Sequence, residues 1–368
     1  MTAHLSYLLN TFARDYGYAF LKLFGTKPLK TIKRICLVTD AWTPQINGVV
    51  TTLSQLVKYL TEQGIEIDII QPYEYPRIPL PTYPDIPLVW RAKGLEDRIL
   101  KNKPDAIHIA TEGSLGWRAR RIALKHKLPF TTAYHTKYPE YLAKRLPIPA
   151  SWVYKFLTKF HDPAQATFVP AQAILNELES HGFQHLVLMG RGVDKRVFNP
   201  QQHIDLPYKK PIYLYVGRLA VEKNIQAFLS LDLEGTKLMV GDGPQKEFLE
   251  KHYPDAVFVG SKQNESLAQF YASADVMVFS SLTDTFGLVN IEAMACGTPV
   301  AAFPVTGPID IITPGLNGAL NPDLNLAIQQ ALSLPRPPIA QSVENYDWQV
   351  VASDFLQHLA QINWSDRT

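Results

Sequence analysis

The sequence predicts two α/β domains in tandem, each built on a doubly wound parallel sheet. Short apolar runs, typical of buried parallel strands, alternate with stretches of helical periodicity. The chain has 368 residues, which is long for a single hydrophobic core. A polar, proline-rich stretch over residues 199–211 interrupts the alternation, which then starts again. Such alternation is typical of sheets whose crossover helices cover both faces.

The order of the apolar runs predicts where the elements lie. In the first half we expect strands at residues 35–39, 66–70, 106–109, 130–133, 167–169 and 186–188. In the second half we expect them at residues 212–216, 237–240, 256–259, 276–279 and 299–303. Helices begin near Val49 and Leu288, and a last amphipathic segment spans residues 348–362. The predicted domains are therefore residues 33–205 and 206–345, followed by a C-terminal helix within 346–368 that returns to the first domain.

Residues 1–32 form a separate N-terminal extension. Leu5, Leu8 and Phe12 recur at helical spacing, and basic side chains outnumber acidic ones in this segment. The pattern fits a helix packed on the main body, and it also fits a basic amphipathic helix lying on an anionic bilayer. Under the second interpretation, deletion of the segment abolishes binding to liposomes.

Composition excludes several classes of protein. The net charge of +2 provides no strong field for nucleic acid. No apolar stretch reaches the ~18 residues that predict a membrane span, and the N-terminus lacks a signal-peptide pattern. Cys36 and Cys296 are far apart, which predicts free thiols in a reducing compartment. We therefore expect a cytoplasmic protein, with peripheral contact to the inner face of the cytoplasmic membrane if residues 1–32 bind lipid.

The strongest chemical signal follows the predicted strand 276–279. Asp284 lies in the loop, Gly287 allows close backbone approach, and a helix begins at Leu288 with Glu292 about one turn inside. A helix N-terminus presents free N–H groups and suits an anion such as a diphosphate. The structural alternative is that Asp284 only caps the helix and Glu292 is solvated.

A second signal follows the predicted strand 212–216. Gly217 ends the strand, and Arg218 and Lys223 then place two cations five residues apart. Cations so placed suit a pyrophosphate and the charge on a departing phosphate. The alternative is an ordinary pair of surface side chains.

Polar residues also end strands in the first domain. Asp40 follows the first strand, and Asn47 and Gly48 stand at the start of the next helix. Tyr134 and His135 follow the predicted strand 130–133. A plain helix start and a buried structural histidine are the alternatives at these two places.

Together these motifs resemble the retaining GT-B glycosyltransferases of family four. The resemblance covers residues 33–365 and rests on six motifs in the expected order. They are Asp40 with Asn47–Val50, Tyr134–Thr136, Gly192–Asp194, Gly217–Leu219 with Glu222–Asn224, Gly241–Pro244, and Phe286–Leu288 with Glu292–Met294. The resemblance implies a GT-B fold, in which two Rossmann-like domains face each other across a cleft.

The resemblance also implies roles for individual residues. Arg218 and Lys223 grip the donor diphosphate and stabilise the leaving nucleotide, while Asp284 and His135 contact the donor sugar. Glu292 binds the ribose. The implied substrate-binding set is Asp40, Asn47, Gly48, Tyr134, Gly217, Phe286, Gly287, Leu288, Val289 and Glu292. No metal and no cofactor are expected, because the two cations and the helix end take the place of a divalent ion.

The acidic pair departs from the family pattern. The family usually carries Glu at both positions, whereas this chain has Asp284 at the first of them, with seven residues between it and Glu292. The shorter side chain changes its reach by about 1.5 Å, one carbon–carbon bond length. Both carboxylates survive, so we expect activity to be kept and the preference for the donor sugar to be altered.

Within the family, the loop at residues 44–50 and the Tyr134–Thr136 motif look most like bacterial α-mannosyltransferases and sulfoquinovosyl-lipid synthases. We therefore expect GDP-mannose as the donor, with a UDP-sugar as second choice. The expected acceptor is a lipid or a glycan, with no nucleic-acid partner and with membrane contact that depends on residues 1–32.

Three other functions are weighed against transfer. A nicotinamide-dependent oxidoreductase predicts Gly-x-Gly-x-x-Gly after the first strand, and that loop lacks those glycines. A GT-B nucleotide-sugar epimerase would lack the Asn47–Gly48 and Tyr134–Thr136 motifs. A non-catalytic nucleotide-sugar binder is made conceivable by Asp284. Assays for transfer, epimerisation and hydride formation on one set of nucleotide sugars separate these functions.

Overall fold

The computed structural model describes residues 31–364, except 46, 81–82, 138–148, 283 and 285. The amphipathic helix expected within residues 1–30 lies outside the described residues. The described part contains two parallel sheets of six strands and one antiparallel hairpin. The strands are β1 (Arg34–Val38), β2 (Glu66–Ile70), β3 (Arg77–Leu80), β4 (Tyr83–Val89), β5 (Ala106–Ile109), β6 (Thr131–Ala133), β7 (Ala166–Val169), β8 (Leu186–Leu188), β9 (Ile212–Val216), β10 (Thr236–Val240), β11 (Val257–Phe258), β12 (Val276–Phe279), β13 (Val300–Ala302) and β14 (Gly318–Leu320).

Helices connect the strands and cover the sheets. The helices of the first half are α1 (Gly48–Glu62), α2 (Leu95–Asn102), α3 (Ser114–Lys125), α4 (Ala150–His161) and α5 (Gln172–Ser180). Those of the second half are α6 (Ile225–Leu229), α7 (Lys246–His252), α8 (Asn264–Ser273), α9 (Leu288–Ala295), α10 (Pro308–Ile311), α11 (Leu324–Leu332), α12 (Pro337–Gln341) and α13 (Trp348–His358).

The strand orders confirm the predicted fold class. The first sheet runs β2-β1-β5-β6-β7-β8 and the second β11-β10-β9-β12-β13-β14, with parallel pairing throughout. Strands β9 and β12 are buried along their whole length, as their continuous apolar runs predicted. In each sheet the order reverses beside the first strand, which creates a crevice at the carboxyl ends of the strands.

Two features were not predicted. In the hairpin β3–β4, Pro79 pairs opposite Pro87. Proline in a sequence is a signal against a strand, so the pattern did not predict this hairpin. The hairpin lies outside both six-stranded sheets, where missing N–H donors are tolerated. Strand β14 is the short segment Gly-Ala-Leu, which lacks the β-branched and aromatic residues that are typical of strands.

Helix α13 crosses back to the first sheet. Trp348 and Phe355 are buried in one cluster with Ile35, and the Trp348 ring lies 6.5 Å from the ring of Tyr59 on α1. A Cβ atom on Gly192 would lie 2.6 Å from Trp348, so only glycine allows this approach. The domain boundaries at 32, 205 and 345 remain predictions.

Cys36 and Cys296 are both buried free thiols. Burial raises the pKa of both thiols above the ordinary value. None of the helices in the described part of the chain combines the length and apolarity needed to cross a bilayer.

Candidate active site

The reversal point of the second sheet lies between β9 and β12. The loops that follow these two strands carry the residues of the two strongest sequence signals. Because the carboxyl ends of parallel strands meet at one edge, the loops lie side by side.

The loop after β9 packs against the loop after β10 through close backbone contacts. Gly217 has a φ of +150°, and a Cβ atom on Gly241 would lie only 1.9 Å from the Gly217 carbonyl oxygen. The Leu219 amide donates to the Asp242 carbonyl at 2.8 Å. These glycines therefore bring two strand-end turns together and hold the segment that carries Arg218, which is partly buried.

Lys223 and Asp284 meet across the crevice. The Lys223 Nζ atom lies 2.6 Å from Asp284 Oδ2, and the two side chains are 24% and 18% exposed. Ser280 donates its hydroxyl to the Lys223 carbonyl at 2.9 Å, while Asn224 donates to the Ser280 carbonyl at 3.2 Å. The structure therefore makes Lys223 a partly buried, positioned cation rather than an ordinary surface lysine.

Helix α9 begins at Leu288, four residues after Asp284. Its N-cap is Gly287, with a φ of +87°, and this residue has no side chain with which to accept from the first N–H groups. Gly287, Leu288 and Val289 are partly exposed, whereas the neighbouring ring of Phe286 is buried. An uncapped helix N-terminus with accessible N–H groups has the geometry and the partial positive charge for binding a phosphate.

Asn290 is a residue of this helix that sequence reasoning missed. It is fully buried, and neither atom of its amide has a hydrogen-bond partner among the described residues. A Cβ atom on Gly287 would lie 2.7 Å from Asn290 Nδ2, so the amide fills the space beneath the glycine. Its position in an apolar helix pattern contained no signal that could have identified it.

Glu292 lies one turn inside α9 and is held by Tyr271. The Tyr271 hydroxyl donates to Glu292 Oε2 at 3.0 Å. Burial raises the pKa of Glu292 to about 7, although the tyrosine hydrogen bond acts in the opposite direction by favouring the carboxylate. The Glu292 carboxyl group therefore changes charge near neutral pH, which places it among the strongly perturbed groups that are typical of functional sites.

In the first domain, His135 is buried beside Arg191. The Arg191 guanidinium donates to His135 Nδ1 at 3.0 Å and also to the carbonyl of Met189 at 3.0 Å. Burial and the charge on Arg191 lower the pKa of His135 well below its ordinary value. A neutral imidazole that accepts at Nδ1 carries its proton on Nε2, so Nε2 is the donor atom of this ring. Arg191 was not singled out from the sequence, although it directly precedes the Gly192–Asp194 motif.

Asp40 performs a structural task that the sequence did not reveal. Its carboxylate accepts from Leu115 N at 2.8 Å, Gly116 N and Thr111 Oγ1 at 3.1 Å, and Ser114 Oγ at 3.0 Å. Asp40 thus caps α3 from a strand end more than 70 residues away. Its four acceptor contacts join β1 to α3, and Gly113 leaves room for the carboxylate.

Asn47 and Gly48 form the start of α1. Asn47 Oδ1 accepts from Val49 N and Val50 N at 3.0 Å, which makes Asn47 the N-cap. Gly48 is exposed, and a Cβ atom there would meet nothing within 4 Å. Tyr134, in contrast, is 1% exposed and packs in the core.

The structure therefore groups the predicted site residues into separate contact sets. It joins Lys223 to Asp284 directly, and α9 begins four residues after Asp284. Glu292 is joined to Tyr271, His135 to Arg191, and Asp40 to α3. Among the described residues, no group of three or more His, Cys, Asp or Glu side chains is arranged to hold a metal ion.

Comparison with known proteins decides the family. The family described as Glycosyltransferase Family 4 matches residues 46–197, and the one described as Glycosyl transferases group 1 matches residues 199–334. A GDP-mannose-dependent alpha-mannosyltransferase of Mycobacterium tuberculosis is 30% identical over 316 residues, covering 78% of this chain and 84% of the relative. This chain is a member of the family-four, group 1 glycosyltransferases.

Two further comparisons support this glycosyltransferase assignment and the fold. The sulfoquinovosyl transferase SQD2 of Arabidopsis thaliana is 33% identical over 328 residues, covering 79% of this chain and 63% of the relative. The solved sucrose-phosphate synthase of Thermosynechococcus elongatus superposes with a TM-score of 0.73 at 23% identity, covering 88% of this chain and 98% of that one. The predicted GT-B fold and the assignment as a glycosyltransferase enzyme are confirmed.

Proposed function

We propose that this glycosyltransferase moves a hexose from a nucleotide diphosphate sugar to a hydroxyl of a lipid or glycan, with retention at the anomeric carbon and without a metal ion. GDP-mannose is the donor we favour, because the M. tuberculosis relative is named for that donor and covers most of the chain. The finding that carries the proposal is the Lys223–Asp284 pair, held at 2.6 Å four residues before the first residue of helix α9, whose N-cap is a glycine.

The chemistry follows from where charge develops. Breaking the bond between the anomeric carbon and the phosphate oxygen builds positive charge on the sugar and negative charge on the diphosphate. Lys223, Arg218 and the positive end of α9 act on the diphosphate. In the same step the acceptor oxygen bonds to the anomeric carbon on the face that the phosphate leaves. The acceptor proton passes to the departing phosphate oxygen, so retention needs no covalent enzyme intermediate.

Asp284 and His135 are assigned to the donor sugar. The Asp284 carboxylate is partly exposed at 18%, so it can accept from a sugar hydroxyl while it keeps its contact with Lys223. His135 offers a proton on Nε2 to a sugar oxygen, because Arg191 occupies its Nδ1. Glu292 accepts from the ribose hydroxyls through the carboxylate that Tyr271 orients.

A single assay series tests the proposal. The full chain is incubated with GDP-mannose, UDP-glucose or UDP-sulfoquinovose, each with a dispersed diacylglycerol acceptor and each with and without EDTA. We expect glycolipid from one donor, insensitivity to EDTA, and a product whose anomeric configuration matches the donor by NMR. Epimerised or hydrolysed donor without any transfer, or product of inverted configuration, would overturn the proposal. Lys223→Ala is the matched inactive control.

A UDP-sugar donor is the second candidate. The resemblance to a sulfoquinovosyl transferase at 33% identity supports it. A competition experiment decides between the donors. Equal concentrations of GDP-mannose and UDP-sulfoquinovose are offered together, and mass spectrometry of the lipid product identifies the transferred sugar.

A further inference from the structure

Helix α4 carries aromatic side chains on its water-facing side. Trp152 and Phe156 are 68% and 54% exposed, and they lie four residues apart on one face. Lys155 and Lys159 are exposed on the same side of the helix. The opposite side is buried, with Val153, Tyr154, Leu157 and Phe160 in the core. The water-facing side of this helix is therefore aromatic and basic, unlike the polar outer face of an ordinary amphipathic helix.

The face continues onto helix α3. The Trp117 ring lies 4.8 Å from the Phe156 ring, and the Arg120 guanidinium lies 5.2 Å from the Trp117 ring centre. Arg121 is exposed one turn beyond Trp117. Helix α3 contains four Lys or Arg residues and α4 contains two, and neither helix contains an Asp or Glu. We call this surface the α3–α4 face: Trp117, Arg121, Trp152, Lys155, Phe156 and Lys159.

We infer that the α3–α4 face lies on an anionic lipid surface. Tryptophan and other aromatic rings favour the boundary between acyl chains and headgroups, and lysine stems extend so that their ammonium groups meet lipid phosphates. Charge complementarity favours lipid over protein, because lysine is depleted from protein–protein interfaces. A second copy of this chain is disfavoured as the partner, because a two-fold contact would bring the cations of one α3–α4 face close to the same cations of the other.

The face is connected to the acceptor side of the first domain. Tyr154, on the buried side of α4, donates to Glu177 Oε1 at 2.5 Å, and Lys137 donates to Glu177 Oε2 at 2.6 Å. Lys137 follows His135 by two residues after the end of β6. A protein adsorbed through this face keeps that strand end close to the membrane. The inference that membrane contact serves sugar transfer rests on the proposed lipid acceptor, whereas the inference that the protein adsorbs to the membrane does not.

The test measures adsorption of the full chain without any donor. Co-sedimentation is measured with vesicles of phosphatidylglycerol and phosphatidylcholine and with vesicles of phosphatidylcholine alone. For Lys155→Gln with Lys159→Gln we expect weaker binding to the anionic vesicles by about 25-fold, or about fivefold per cation. For Trp152→Ser with Phe156→Ser we expect a loss of about tenfold or more.

Matched controls use the same residue types on another surface. Phe248 is 43% exposed on α7, and Lys209 and Lys251 are also exposed. Phe248→Ser and the pair Lys209→Gln with Lys251→Gln should leave adsorption within about twofold, since charges beyond a Debye length of about 8 Å are screened. Equal losses in the control and face variants would show a general charge or solubility effect and overturn the inference.

Four further outcomes test the inference. Unchanged adsorption of both face variants overturns the inference. Conversion of a dimer to a monomer by Trp152→Ser with Phe156→Ser, seen by sedimentation velocity, assigns the face to a second copy and also overturns it. Face variants that lose adsorption but keep sugar transfer to a detergent-dispersed acceptor support it. A wild-type chain that adsorbs but transfers no sugar rejects the proposed function and leaves the inference standing.

Discussion

The hydrogen bond from Tyr271 to Glu292 predicts how donor use depends on pH. Burial raises the pKa of Glu292 to about 7, and the tyrosine partly opposes that rise. If the ribose hydroxyls donate to this carboxyl group, the charged form is the productive one. We expect kcat/KM for the donor to fall tenfold per pH unit below about 7, because this parameter reports groups of the free enzyme.

Removal of the tyrosine hydroxyl should move this transition upward. A hydrogen bond to a charged group contributes about 1.5–3 kcal/mol, and one pKa unit corresponds to about 1.36 kcal/mol. Tyr271→Phe should therefore raise the pKa of Glu292 by about one to two units. At pH 7.5 the ionised fraction then falls from about three quarters to about one tenth, for a pKa near 8.5, and kcat/KM falls about eightfold.

The assay is a set of initial-rate measurements of donor dependence between pH 5.5 and 9. A transition near pH 7 is not assigned to His135, because burial lowers the pKa of its imidazole well below the ordinary value. Tyr271→Phe should recover near-wild-type kcat/KM at pH 9, which a merely structural defect would not do. Glu292→Gln should show no transition near neutral pH.

The control removes the same kind of contact elsewhere. Tyr154 donates to the carboxylate of Glu177 at 2.5 Å in the first domain, so Tyr154→Phe should leave the midpoint unchanged. An unshifted midpoint in Tyr271→Phe, or a persistent transition in Glu292→Gln, would refute the assignment of this transition to Glu292.

The other predictions concern the remaining contacts of the site. Lys223→Ala should lower kcat at least a hundredfold, since a transition-state contact of this kind contributes about 3 kcal/mol or more; a loss under threefold contradicts the role. Arg191→Gln should lower kcat/KM for the donor about tenfold, because His135 loses the charged donor that fixes its tautomer. If Arg191→Gln lowers kcat/KM by the same factor in a chain that already carries His135→Ala, Arg191 does not act through His135. Asp40→Ala should lower the free energy of unfolding in urea by about 2–4 kcal/mol, because four donors of the α3 start lose their acceptor. An unchanged urea midpoint would contradict the capping role of Asp40.

Much of the fold could be predicted from local patterns. A strand buried on both faces reads as a near-continuous apolar run, so strands such as β9 and β12 were recognisable without any partner. Two glycines were also recognisable, Gly217 at the end of a strand and Gly287 at the start of a helix, and both hold backbone angles that other residues rarely adopt. The hairpin β3–β4 and strand β14 could not be predicted, since one is rich in proline and the other, Gly-Ala-Leu, lacks β-branched and aromatic residues.

The amino-acid sequence by itself determined the alternation of strands and helices, the family, and the polar residues that end the strands. Which of those residues touch was decided only by the tertiary structure. Lys223 and Asp284 are 61 positions apart, and His135 and Arg191 are 56 apart. A parallel sheet collects all strand ends at one edge, but the register of the strands and the closure of the loops select the pairs. For this reason only the structure shows that the Asp40 carboxylate caps α3. The contacts of Arg191 with His135 and of Tyr271 with Glu292 could likewise be identified only in the folded chain.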